Sequence, residues 1–219
     1  AGDGKKAWST VQKMSGYFSE KLKEKEFVNL GLFELGFVYV VSRKKIANLD
    51  ELGKVKLWAW EGDNLAASMI QAMKLISVPL ALPDVLSSLS TGIIDAAYAP
   101  PMGIVALQWN SKIRYLVDFP IAYSIGAFLV HEKYWNRIPE NLRKIVVKIA
   151  DPYIAKVNAA NMRDNKESLQ AIREMGVNII NFSDKDKTRA KSYRKKVIAK
   201  LTGDLFSKEA LDKLNQARK

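Results

Sequence analysis

The chain of 219 residues contains no cysteine and one histidine, His131. Disulfide frameworks, thiolate metal sites and Cys–His nucleophiles are therefore excluded. A protein without thiols is indifferent to redox poise, so the missing cysteines give no address. His131 has no second ligand or base at suggestive spacing and reads as a surface side chain. Long apolar runs are absent too: residues 37–41 and 126–130 are strand-sized, too short to cross a bilayer, so no transmembrane segment is expected. The opening AGDGKKAW lacks the apolar centre of a signal peptide, which leaves a cytosolic, an already processed or a truncated chain open. There is no Gly-x-Ser-x-Gly elbow, no phosphate-cradling glycine loop and no histidine pair, so no enzyme, cofactor or metal site is expected. Glu61 with Asp63 could form an acid and base pair, but nothing raises that above chance.

Acidic residues are in deficit, 23 against 35 Lys and Arg, for a formal charge of +12. Such an excess invites a nucleic-acid reading. Its distribution argues against one: Lys185, Lys187, Arg189, Lys191, Arg194, Lys195, Lys196 and Lys200 are interleaved with Asp184, Asp186 and Asp204. That is a solvated helix face without a nucleic-acid motif, and it leaves an anionic membrane surface or an acidic partner open.

What is present is 48% apolar residues in an α/β order. Residues 8–25 read as a helix, with Val11, Met14, Phe18 and Leu22 at helical spacing. Residues 28–41 are strand-like but broken by Gly31 and Gly36, and end in a basic turn at 42–45. In GKVKLWAWEGD, residues 53–63, Trp58 and Trp60 share one face of a strand, because side chains alternate. Leu65, Met69, Met73 and Ile76 make a helical stripe, and residues 78–82 a short strand. Asp84 suits an N-cap and Gly92 a left-handed helix end. LSTGIIDAAYAPP, residues 89–101, carries the next strand, and Pro100-Pro101 starts a helix with Trp109 near its end. Residues 115–118 and 125–130 are two further strand candidates. A long helix covers 139–175, with a kink expected at Asp151-Pro152, followed by a strand at 177–182 and two basic helices around Gly203.

Two strands joined by helical crossovers predict a parallel arrangement, in which ligands bind outside the carboxyl ends of the strands. A cleft is thus expected around residues 58–63 and 97–101. Trp58, Trp60, Glu61, Asp63, Tyr98, Ala99 and Trp109 are its candidate ligand-binding residues, with Asn64 and Gln108 as further polar groups. Gly92, Asp95 and Trp135 are expected to be structural.

The run ANLDELGKVKLWAWEGD, then VPLALPDVLSSLSTGIIDAAYAPP, then HEKYWNRIPENLR before a long helix, resembles the substrate-binding subunits of TRAP (tripartite ATP-independent periplasmic) transporters over about residues 33–182. The resemblance implies a periplasmic-binding-protein-like α/β fold with a mixed or parallel sheet and flanking helices. It further implies a periplasmic, monomeric protein that delivers a small solute to a TRAP-type permease, with a membrane tether through a removed N-terminus as one option. On this reading residues 1–45 are the remnant of a first lobe plus a hinge strand, and more chain is expected in front. Residues 46–135 form the second lobe, 136–182 link the lobes, and 183–219 are the basic C-terminal helices. Two departures bear on the ligand. Trp58 stands where much of the family has an arginine that clamps a substrate carboxylate, and Ala99 where it has an amide. An aromatic, apolar or amphiphilic solute is therefore expected in place of a simple dicarboxylate. A signalling or interaction scaffold that kept the binding fold is the alternative.

Overall fold

A computed structural model describes residues 3–219. Ala1 and Gly2, which open the stretch assigned above to a first-lobe remnant, lie outside the described residues. Helix α1 (Gly4–Lys23) leads into β1 (Phe27–Ser42), followed by α2 (Leu49–Leu52), β2 (Leu57–Trp60), α3 (Asn64–Met73), β3 (Ser77–Leu80), α4 (Val85–Thr91) and β4 (Ala96–Ala99). Then come α5 (Pro101–Ala106), β5 (Tyr115–His131), α6 (Glu132–Trp135), α7 (Glu140–Glu174), β6 (Asn178–Ile180), α8 (Asp184–Leu201) and α9 (Lys208–Ala217).

The strands form one mixed sheet in the order β3-β2-β4-β1-β5-β6, with β1 alone running against the others. Successive side chains of a strand face opposite ways, and the core divides accordingly. Val41, Trp58, Ala97 and Leu116 pack on one face with Val85, Leu89, Ile104 and Ile172 from α4, α5 and α7. Their neighbours Val40, Leu57, Ala96 and Val117 pack on the other with Leu49, Leu52 and Ile70 from α2 and α3. Helices on both faces of a largely parallel sheet complete the α/β arrangement that the sequence predicts.

Three features differ in detail from the sequence reading. Gly31 and Gly36 do not interrupt β1; each sits at a register shift, where the strand accommodates an extra residue as a bulge. Residues 115–118 and 125–130 belong to one strand, because β5 bulges around Pro120: Val40 lies opposite Val117 while Val38 lies opposite Ala122. A proline is tolerated there because the bulge needs no ladder N–H. Helix α3 stops at Met73 with Lys74 in the left-handed conformation, so Ile76 falls beyond it and is exposed, as is Leu65, while Ile70 carries the packing.

The expected long helix is α7, continuous through Pro152. A row of asparagines three and four residues apart fastens it to the bulged part of β1. Asn158 accepts from the Glu34 N–H at 2.8 Å and donates to the Leu32 carbonyl at 3.2 Å. Asn161 donates to the Glu34 carbonyl at 2.6 Å, and Asn165 to that of Leu35 at 2.9 Å. Bulging removes ladder partners from backbone groups, and these amides supply replacements. Asn165 also accepts from the Met102 N–H at 3.1 Å, so the same helix fixes the start of α5 below β4.

Candidate functional site

The carboxyl ends of the parallel strands β2 and β4 bring the predicted aromatic residues together. Trp58 stacks on Tyr98 with ring centroids 5.1 Å apart and on Trp60 at 5.9 Å, and meets Trp109 edge-on at 5.5 Å. The alternation of β2 sets this up, since Trp58 and Trp60 must lie on one face. The stack has an inside and an outside. Trp58 and Trp109 are each only 1% exposed, and the Trp58 indole N–H is bound to the Leu80 carbonyl at 2.9 Å. This corrects the expectation that these two rings face a solute: α4 and α5 cover that face of the sheet, so both belong to the core. Trp60, 50% exposed, and the half-buried Tyr98 present the accessible surface.

The Tyr98 hydroxyl accepts from the Trp60 N–H at 3.3 Å. Burial pushes its pKa up, countered by the Trp60 N–H and reinforced by the nearby Asp63 carboxylate. The hydroxyl therefore keeps its proton at neutral pH, and among the described residues that proton has no acceptor. It is a donor available beside the ring stack.

The polar candidates divide. Asp63 is committed locally: its carboxylate caps α3 through the Ala66 N–H at 2.9 Å. Glu61 is exposed on the turn after β2, Asn64 at the start of α3, and Gln108 beyond the end of α5. Ala99 is buried at the end of β4, and its methyl group offers no hydrogen bond. Gly92 ends α4 in the left-handed conformation at φ +82°. Asp95 binds the Lys56 N–H and the Lys44 ammonium, both at 3.0 Å. Trp135 is buried at the end of α6.

A buried carboxylate escaped the sequence reading. Glu34, in the apolar run of β1, is 4% exposed, and its carboxylate accepts a short hydrogen bond from the Tyr123 hydroxyl on β5. Burial and the adjacent carboxylate push the Tyr123 pKa far up, which keeps that hydroxyl a donor. The available signal was a single carboxylate inside an otherwise apolar strand.

Residues 5–204 match the family described as bacterial extracellular solute-binding protein, family 7. Among curated proteins, the C4-dicarboxylate-binding periplasmic protein DctP of Rhodobacter capsulatus is 22% identical over 156 residues, which is 71% of this chain and 46% of that protein. The chain thus spans about half the length of that relative. Among solved structures, the sugar acid binding protein DctPAm of Advenella mimigardefordensis, in complex with galactonate, superposes with a TM-score of 0.89 at 21% identity. That similarity covers 99% of this chain and 70% of that one. A TRAP periplasmic solute binding protein of Desulfovibrio salexigens with bound orotic acid gives 0.81 at 16% identity, covering 95% and 70%.

Proposed function

Because the chain belongs to the bacterial extracellular solute-binding proteins of family 7, we propose that it captures a small solute outside the cytoplasm and delivers it to a TRAP-type membrane permease. The solute end lies in residues 46–135, which we take as one lobe. The carrying observation is the stack of Trp60, Trp58 and Tyr98 at the carboxyl ends of β2 and β4. Neither residues 57–63 nor residues 96–102 contain a lysine or arginine.

A carboxylate placed at these strand ends would find no guanidinium fork and, at Ala99, no amide. Each missing charge-assisted bond is worth about 1.5 to 3 kcal/mol. What the site offers instead is an indole face, a phenol ring and one free hydroxyl proton. That combination suits a planar or apolar-faced solute with an acceptor toward Tyr98, or an amphiphile whose amine meets Glu61. The orotic acid held by the Desulfovibrio relative is planar in this sense, and like the galactonate of the Advenella relative it is also an acid, so on this reading its ring and not its carboxylate is the part that this site would favour. The dicarboxylate in the name of the Rhodobacter relative is the class this site disfavours.

Calorimetric titration of the purified protein with orotate, an indole carboxylate, an aromatic amine and succinate tests the assignment. A planar solute is expected to bind and to weaken about tenfold in Trp60→Ala, the scale of one lost stacking contact. Succinate binding best would overturn the solute class. Failure of every small molecule would return the chain to an interaction scaffold.

A further inference from the structure

The end of the sheet opposite the aromatic stack carries a recess of different chemistry. Antiparallel pairing of β1 with β4 and β5 sets the end of β1 beside the starts of its neighbours: Ser42 lies opposite both Ala96 and Tyr115, and Leu57 lies opposite Ala96. Residues just outside those positions therefore converge. Arg43, Lys44, Lys56, Lys112 and Arg114 line a cavity of about 640 Å³ together with a single carboxylate, Asp95.

That carboxylate already has a partner on each oxygen. It is 4% exposed and holds the Lys44 ammonium and the Lys56 N–H. The Lys56 ammonium turns to the Gly92 carbonyl. Among the described residues, the Arg43, Lys112 and Arg114 side chains have neither a carboxylate nor a hydrogen-bond acceptor. The Arg43 guanidinium lies against Gly92, its Nη1 2.8 Å from where a Cβ on residue 92 would stand. Like charges gathered in one recess repel each other, and an anion seated among them relieves that repulsion while accepting the unused N–H groups.

We propose that this recess is a binding site for a multiply charged phosphate group. It would be taken either as a free anion or as the phosphomonoester headgroup of a lipid, at the end of the strands opposite the solute surface. The site is independent of the solute assignment. Its cations come from the amino edge of the parallel strands, and the solute surface comes from the carboxyl edge.

Calorimetry with inorganic pyrophosphate at low salt, and co-sedimentation with phosphatidylcholine vesicles containing phosphatidic acid, separate the two sources. One of these probes is expected to bind, with affinity falling as salt rises. Lys112→Gln/Arg114→Gln, both at exposed positions, should weaken it roughly tenfold or more, as expected for losing two charge-assisted contacts. Arg43→Gln should do the same, and Trp60→Ala should leave it unchanged. Without anion, the double variant should melt no lower than the wild type, because it removes repulsion. The assignment is overturned if neither probe binds, or if the double variant and Arg43→Gln bind as the wild type does. Tighter binding of a polyglutamate peptide than of either phosphate probe would also overturn it, in favour of an acidic protein partner.

Discussion

Asn165 stands directly over Gly36: a Cβ built on that glycine would lie 2.8 Å from the Asn165 amide nitrogen. The same nitrogen donates to the carbonyl of Leu35, one residue earlier, at 2.9 Å. The helix therefore approaches β1 as closely as it does because residue 36 has no side chain and adopts φ +103°. Gly36→Ala combines left-handed backbone strain with a collision against a polar anchor and should destabilise the protein by about 3 kcal/mol. Gly62→Ala is the control. Residue 62 has φ +85° but open space around its Cβ position, so only the strain of about 1 to 2 kcal/mol applies. Urea midpoints of the two variants should separate clearly; equal midpoints would mean that Asn165 yields.

Trp58 and Trp60 share a face of β2 yet should respond oppositely to truncation. Trp58 is sealed beneath α4 and α5, and Trp58→Ala should cost about 3 to 5 kcal/mol through the cavity it leaves. Trp60 is half exposed, so Trp60→Ala should cost about 1 kcal/mol while removing most of the solute affinity. Paired thermal melts and titrations check this. A Trp60→Ala protein that binds its solute normally would place the ligand away from the strand ends.

The Asp95 carboxyl gives a pH dependence with a definite sign. Burial raises its pKa, but the Lys56 N–H and the Lys44 ammonium outweigh burial and hold it below the usual carboxylate range. Because the folded value is the lower one, its stabilisation is complete above about pH 4, the unfolded value, and is lost as pH falls through the folded one. Urea midpoints measured from pH 6 to pH 2.5 should therefore fall less steeply below pH 4 in Asp95→Asn than in the wild type. Parallel acid limbs would show that other carboxylates carry the effect.

What the sequence disclosed about this molecule depended on whether a feature was local. The strand bearing Trp58 and Trp60, the left-handed stop at Gly92 and the helix begun at Pro100-Pro101 are written in alternation, turn chemistry and proline geometry, all within a few residues. Gly31 and Gly36 looked like interruptions, and residues 115–118 and 125–130 like two separate strands, because a bulge is defined only against a partner strand, and β1 and β5 are far apart in the chain. Alternation likewise said that Trp58 and Trp60 point the same way. It could not say that α4 and α5 cover one and leave the other open. The basic recess was illegible for the same reason, since Arg43, Lys56 and Arg114 meet only once antiparallel pairing gathers the strand ends.

Asn158 supplies the sharpest test of how α7 is held. It is 9% exposed and satisfies two backbone groups of β1 at once, the Glu34 N–H and the Leu32 carbonyl. Asn158→Ala leaves both without a partner at a buried position, and unmet buried polar groups cost about 1 to 3 kcal/mol each. Asn158→Asp keeps the acceptor for the Glu34 N–H but sets a buried carboxylate oxygen against the Leu32 carbonyl, so it should be no milder near neutral pH. Amide exchange at Glu34 should accelerate in Asn158→Ala, which removes its acceptor, while Trp58, deep in the sheet core, keeps its protection. Uniform acceleration across the sheet would instead mean that the helix and the sheet unfold as one unit, with no local opening at the bulge.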